Sequence, residues 1–160
     1  MVLYIQNKGG NTMKEIYFDM DGTIADFYGV ENWLNYLQHF QTKPYREAKP
    51  LVNMRKLSKE INRLQSIGYK VGIISWLSKA SNEEYDEKVI KAKKAWLRVH
   101  LGSVQFDKIV IVKHGMPKEN YGKGILFDDE KQNRVNWNKA SAENTAFDVE
   151  NILEVLKAIL

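Results

Sequence analysis

The sequence predicts an α/β domain built on a parallel sheet with helices on its faces, and two observations predict it. Four short runs, EIYFD (15–19), KVGIIS (70–75), KIVIV (108–112) and KGILFDD (123–129), are apolar without strict alternation, as strands covered on both faces are. Segments of helical periodicity lie between them, and regular exchange of strand and helix is the pattern of a doubly wound sheet. The 160 residues suffice for one domain with a sizeable core. No repeat, low-complexity tract or linker divides them.

The first strand stops at Asp19, and Gly22 supplies the bend that follows. A first helix is expected over about 30–40. The next, over 50–67, carries Leu51, Met54, Leu57, Ile61 and Leu64 at three- and four-residue spacings, with Gly68 where a C-terminal cap belongs. A basic helical pattern follows the second strand over 84–101. The chain closes on an amphipathic segment, about 147–159, with Val149, Ile152, Leu153, Leu156 and Ile159 on one face and Asp148 placed to cap its start.

Composition narrows the functional classes. No apolar stretch approaches the ~20 residues of a membrane helix. The absence of cysteine removes disulfides, thiolate catalysis and cysteine-based zinc sites, and a reducing cytoplasm is the default location. The net charge of +4 favours anionic partners without choosing among them. His39, His100 and His114 lack metal-ligand spacing and are read as solvated or capping residues. Residues 1–13 have too short an apolar patch for a secretory segment and read as a leader, with Met13 an alternative start.

The chemistry converges at the carboxyl ends of the strands, where ligands of open α/β sheets bind. The first strand ends in Asp19-Met20-Asp21-Gly22-Thr23, the second in Ser75, and the fourth in Asp128-Asp129-Glu130. Carboxylates gathered at one edge repel and raise one another's pKa unless a cation sits among them, so a hard divalent ion is implied. Mg²⁺ fits best, because it takes oxygen ligands and pairs one or two carboxylates with phosphate oxygens. A spare Asp can then attack phosphorus, and a second, two residues on, can protonate the leaving oxygen and later activate water. Ser75 can donate a hydrogen bond to a phosphoryl oxygen. Phe27, Tyr28, Trp33 and Trp76 either form an aromatic wall that stacks a base or pack a small cap onto the sheet.

FDMDGTIAD resembles the first motif of the haloacid dehalogenase (HAD) superfamily of phosphatases, and ILFDDE resembles its acidic fourth motif. DMDGTIADF, DEKVIKAKKAWLRVHLG, KIVIV and ILFDD together resemble the 5'(3')-deoxyribonucleotidase branch. The resemblance implies a Rossmann-like HAD fold in a single hydrolase domain spanning 1–160. It makes Asp19 the nucleophile and a metal ligand, and Asp21 the general acid/base with its backbone carbonyl on the metal. Asp129 is implied as the direct ligand of the acidic pair, with Asp128 acting through water or from behind. Ser75 matches the second-motif hydroxyl. Lys93, three residues before Trp96, matches the lysine that steadies the nucleophile, with Lys113 and Lys118 in reserve. Gly22, Thr23, Phe27, Ser75 and Trp76 are the expected substrate contacts.

Two departures from that branch stand out. Asp19 and Ser75 are only 56 positions apart, so any cap after the first strand must come from about 27–48, and Ser75-Trp76 stands where the branch has Thr-Ser. The expected activity is a Mg²⁺-dependent phosphomonoesterase acting on nucleoside monophosphates. A phosphatase of nucleic-acid ends or another small phosphate ester, and a catalytically silent nucleotide-binding module, are the alternatives.

Overall fold

A computed structural model describes residues 14–160. The leader read over 1–13 lies outside the described residues. The chain opens with β1 (Glu15–Phe18), followed by a tight turn and the two-residue β2 (Ala25–Asp26). Two short helices come next, α1 (Trp33–Gln38) and α2 (Lys43–Glu47), and then β3 (Lys49–Pro50), which pairs antiparallel with β2. After that, α3 (Met54–Ser66), β4 (Lys70–Trp76), α4 (Glu83–His100) and β5 (Lys108–Val112) form the second half of the expected alternation. The chain ends with β6 (Ile125–Phe127), α5 (Lys131–Ala140), β7 (Thr145–Phe147) and α6 (Ile152–Ala158).

Five strands form one parallel sheet in the order β5-β4-β1-β6-β7, so β1 sits at its centre. Phe18 stands beside Ile73 on one side and Phe127 on the other. That register brings the carboxyl ends of β1, β4 and β6 together, and every acidic motif follows one of them. The expected α/β class, a parallel sheet flanked by helices, is the one observed.

The α3 stripe explains why this segment is a helix and where it sits. Asn53 caps it by accepting from the Lys56 N–H at 3.0 Å, and Leu57, Ile61 and Leu64 are fully buried against Ile16, Phe18 and Ile73. Leu51, assigned to the stripe from sequence, precedes the helix and is exposed. Gly68 adopts φ +100°, the left-handed conformation that ends helices. Ile61→Ala would leave a cavity in this layer, with an expected cost of about 2–5 kcal/mol in a denaturant titration.

In α4, Asn82 accepts from the Tyr85 N–H at 2.8 Å, Glu83, Glu84 and Asp86 occupy the first turn, and Arg98 and His100 the last, all in the sense that the helix dipole favours. The helix also braces the insertion that carries α1 and α2. The Tyr85 hydroxyl donates to the Gln41 carbonyl at 2.8 Å, the Lys93 ammonium lies 5.1 Å from the Tyr45 ring centre, and Trp96 Nε1 donates to the Ala48 carbonyl at 2.7 Å.

α5 and β7 were not foreseen. Only Asn133 and Trp137 of α5 are buried, so it has no apolar stripe to read, and β7 is three residues long. Trp137 nonetheless covers the second face of the sheet, against Tyr17, Ile74 and Leu126. The C-terminal segment starts as a single 3₁₀ turn, where Asp148 caps as expected by accepting from the Val149 N–H at 2.7 Å.

Candidate active site

The turn after β1 is built for closeness. Gly22 has φ +81°, and a Cβ there would collide with the Asp129 carboxylate and press on the Tyr28 ring. The Met20 carbonyl accepts from the N–H groups of Thr23, Ile24 and Ala25, each at 3.0 Å, which curls the backbone and points Asp19 and Asp21 apart.

Each aspartate meets its own buried lysine. Lys118, 2% exposed, stands in the 3₁₀ turn before β6 and donates to Asp19 Oδ1 at 2.8 Å and to Asp128 Oδ2 at 2.7 Å. Lys93, on α4 and 1% exposed, donates to Asp21 Oδ2 at 2.7 Å, to Ser75 Oγ at 2.8 Å and to the Trp76 carbonyl at 2.6 Å. The lysine beside Asp19 is therefore Lys118, and Lys93, expected there, faces Asp21 instead. Lys113 is exposed and makes no ion pair among the described residues. A buried lysine in an irregular loop has no periodicity to betray it, which is why sequence reasoning placed Lys118 only in reserve.

Asp19, Asp128 and Asp129 each offer a carboxylate oxygen within 4.8 Å of the others. Thr23 Oγ1 lies 3.1 Å from both Asp19 Oδ2 and Asp129 Oδ1 and accepts from the Asp129 N–H at 3.2 Å. Asp128 is wholly buried, with Oδ1 accepting from the Glu130 N–H at 2.9 Å and Oδ2 also accepting from Asn133 Nδ2 at 3.1 Å. Asp129 is half-buried and keeps more of its lone pairs free. The donor set is all oxygen, which suits a hard divalent cation. The carboxylate of Asp21 is outside this group, turned toward Lys93.

The electrostatics follow from burial and crowding. Burial and the Asp19 charge push the Asp128 carboxyl up to about 6, and the same causes, with Asp128 added, push Asp129 up to about 7. Burial alone would lower Lys118, but the two carboxylates it touches outweigh that and raise it to about 12. Burial raises Asp21 against the opposing pull of Lys93.

Beside this cluster lies a cavity of about 510 Å³, lined at one end by Asp19, Asp21 and Lys118 and elsewhere mainly by aromatic and aliphatic side chains. Phe27 and Trp76 are on its wall; Gly22, Thr23 and Ser75, also expected as substrate contacts, are not. Phe27 is buried in a ring cluster, 5.2 Å from Tyr28, 5.5 Å from Trp33 and 4.8 Å from Tyr45. Trp76 packs 4.8 Å from His114 and holds Lys118 5.2 Å from its ring centre. Two residues missed from sequence, Tyr45 and Asn133, also line the cavity. No helix among the described residues is long and apolar enough to cross a membrane.

No family model matches the sequence, and no curated protein matches it. Among solved structures, a D,D-heptose 1,7-bisphosphate phosphatase from B. bronchiseptica, complexed with magnesium and phosphate, matches with TM-score 0.54 and 14% identity over 91% of this chain and 98% of that one. The same enzyme from Burkholderia thailandensis matches at TM-score 0.48 and 16% identity, covering 82% of this chain and 74% of that one. The HAD domain of effector protein Lem4 from Legionella pneumophila matches at TM-score 0.44 and 15% identity, covering 92% and 98%. The likeness to the first of these is one of fold, the Rossmann-like HAD fold.

Proposed function

We propose that the chain is a Mg²⁺-dependent phosphomonoesterase that works through an aspartyl phosphate, acts on nucleoside monophosphates and operates in a reducing cytoplasm. The observation that carries this reading is the pair of aspartates two residues apart, both lining one largely aromatic cavity and each tied to a different buried lysine. The phosphatase partner in the fold comparison, itself complexed with magnesium and phosphate, supports the same chemistry.

In this reading an Asp19 oxygen attacks phosphorus, the bond from phosphorus to the leaving oxygen breaks, and Asp21 gives that oxygen its proton. Water then attacks the aspartyl phosphate, Asp21 takes its proton, and inorganic phosphate leaves with Asp19 restored as a carboxylate. Lys118 holds Asp19 in place and offsets the negative charge that develops beside it. Lys93 fixes the direction of the Asp21 carboxylate, and burial raises that carboxyl against the pull of Lys93, which favours the protonated form that a general acid needs. Ser75, buried behind the cavity wall, accepts from Lys93 and helps to hold that ammonium against Asp21. Asp19 and Asp129, with Asp128 behind them, would hold the Mg²⁺; when bound, the ion neutralises phosphate charge. The insertion at 27–48 serves as the small cap, closing the cavity over the leaving group.

The nucleotide preference rests on the size and lining of the cavity. About 510 Å³ is in the range of ligand pockets of ~300–1,000 Å³, and aromatic walls suit a flat base. The test is inorganic phosphate release from ribo- and deoxynucleoside monophosphates, 5' and 3', with Mg²⁺ or with EDTA. Release is expected with Mg²⁺ alone, and Asp21→Asn is expected to lower it by ~10²–10⁴. A wild-type rate in Asp21→Asn overturns its assigned role. Activity on sugar phosphates or nucleic-acid ends alone overturns the substrate, and bound nucleotide without release marks a silent binding module.

A further inference from the structure

The two edges of the sheet differ in how they are finished. At β7 the strand is three residues long, and the Ala146 N–H is taken by Asn138 Oδ1 at 2.8 Å. At β5 the strand is KIVIV, with β4 on one side and no strand on the other among the described residues. Ile109 is 38% exposed, and Val110, Ile111 and Val112 are half-buried. Edges of this kind are ordinarily guarded by a charged side chain. Here Lys108, the natural guard, is folded back onto its own sheet, donating to the Tyr121 carbonyl with its ammonium 6.0 Å from the Tyr17 ring centre.

We propose that two copies of the chain join edge to edge through β5, continuing the sheet antiparallel across a twofold axis centred on Val110. The argument is the self-complementarity of this edge. A twofold axis along the sheet normal brings together residues that share a face, so the centre must fall on a residue and neighbours pair symmetrically about it. Centred on Val110, Ile109 meets the partner's Ile111, and Asp107 meets the partner's Lys113. Both cross-strand pairs are favourable and each occurs twice; Val110 meets its own counterpart, and Lys108, which stands opposite the partner's Val112, has its ammonium turned back onto its own sheet.

Moving the centre to Ile109 sets Asp107 against the partner's Ile111. Moving it to Ile111 sets Lys108 against the partner's His114 and Ile109 against the partner's Lys113. Only the Val110 register matches charge with charge and isoleucine with isoleucine. The Asp107 carboxylate is fastened to β4 and α3, with Oδ2 accepting from the Val71 N–H at 2.8 Å and from Gln65 Nε2 at 3.1 Å, so the long, exposed Lys113 side chain is the one that must reach across to Oδ1. A strand pair alone buries less than the ~1,200–2,000 Å² of a stable interface, so the dimer forms and dissociates with concentration.

Sedimentation or light scattering on the full chain, from low to high micromolar concentration, tests this. The wild type is expected to pass from the mass of one chain toward that of two. Ile109→Lys restores an edge guard, and Lys113→Asp places like charges opposite each other. Each is expected to weaken association by at least about tenfold while retaining far-UV circular dichroism and the thermal unfolding of the wild type. The two variants perturb different pairs, so a folding defect in one leaves the other decisive. A wild type that stays at one chain's mass throughout overturns the proposal, whether another protein's strand or the chain's own residues 1–13 cover the edge. A dimer that survives either substitution in folded protein overturns it equally. The outcome is independent of the proposed chemistry, because neither residue lies at the acidic cluster.

Discussion

Asp19→Asn is expected to remove phosphate release altogether, by several orders of magnitude, because no other carboxylate is placed to replace it. Asp21 is held away by Lys93, Asp128 is enclosed by Lys118, Asn133 and the Glu130 N–H, and Asp129, bonded by Thr23, has no buried lysine beside it and is the expected ion ligand. An amide in place of the carboxylate is a far weaker nucleophile and bears no charge to pair with Lys118. The substitution also removes one of the repelling carboxylates, so folding should suffer little and the loss can be read as chemical. The measurement is phosphate release under single-turnover conditions, with thermal unfolding as control. A residual rate within about tenfold of wild type would move the nucleophile elsewhere.

Lys118→Met should affect folding and chemistry together. Lys118 is buried between two carboxylates, and removing it leaves Asp19 and Asp128 facing each other at close range with no compensating charge. Breaking a buried pair of this kind costs about 3–5 kcal/mol. Because the acidic group is also the expected ion site, added Mg²⁺ should recover part of that loss and raise the melting temperature of the variant more than that of wild type. The folded protein holds Lys118 near 12, above its ordinary value, so this contribution is fully present below about 10 and is lost as pH rises through about 12. Lys93→Met would leave Asp19 paired and disturb Asp21 alone. Equal loss of turnover with no change in stability at Lys118 would contradict the structural part of this expectation.

Much of the arrangement was legible because it follows from strong local signals. Continuous apolar runs announced four of the five sheet strands, and the carboxylates immediately after them announced the edge where they meet. The α3 stripe was readable since three of its leucine and isoleucine positions share one buried face. What escaped lacked such signals. KQNRVNWNKA is a helix held by two buried side chains, and TAF pairs with β6 for only three residues. Lys93 and Lys118 look alike in sequence, each a lysine in a basic stretch, and only the chain path decides that one reaches Asp21 and the other Asp19. Tyr45 is brought to the cavity by α2, a five-residue helix too short to show a period.

The braces that α4 extends to the insertion have a kinetic meaning. Tyr85, Lys93 and Trp96 fasten Gln41, Tyr45 and Ala48 at successive levels of one long helix, so no single hinge can swing the insertion clear without breaking all three. Tyr28 and Trp33, which line the cavity, belong to this fastened insertion, so the cavity is expected to keep one width rather than open and close. A fixed width discriminates by girth before any chemistry begins. On the proposed function, this rigidity would favour compact free esters over phosphates carried on folded macromolecules, with no gating step in turnover.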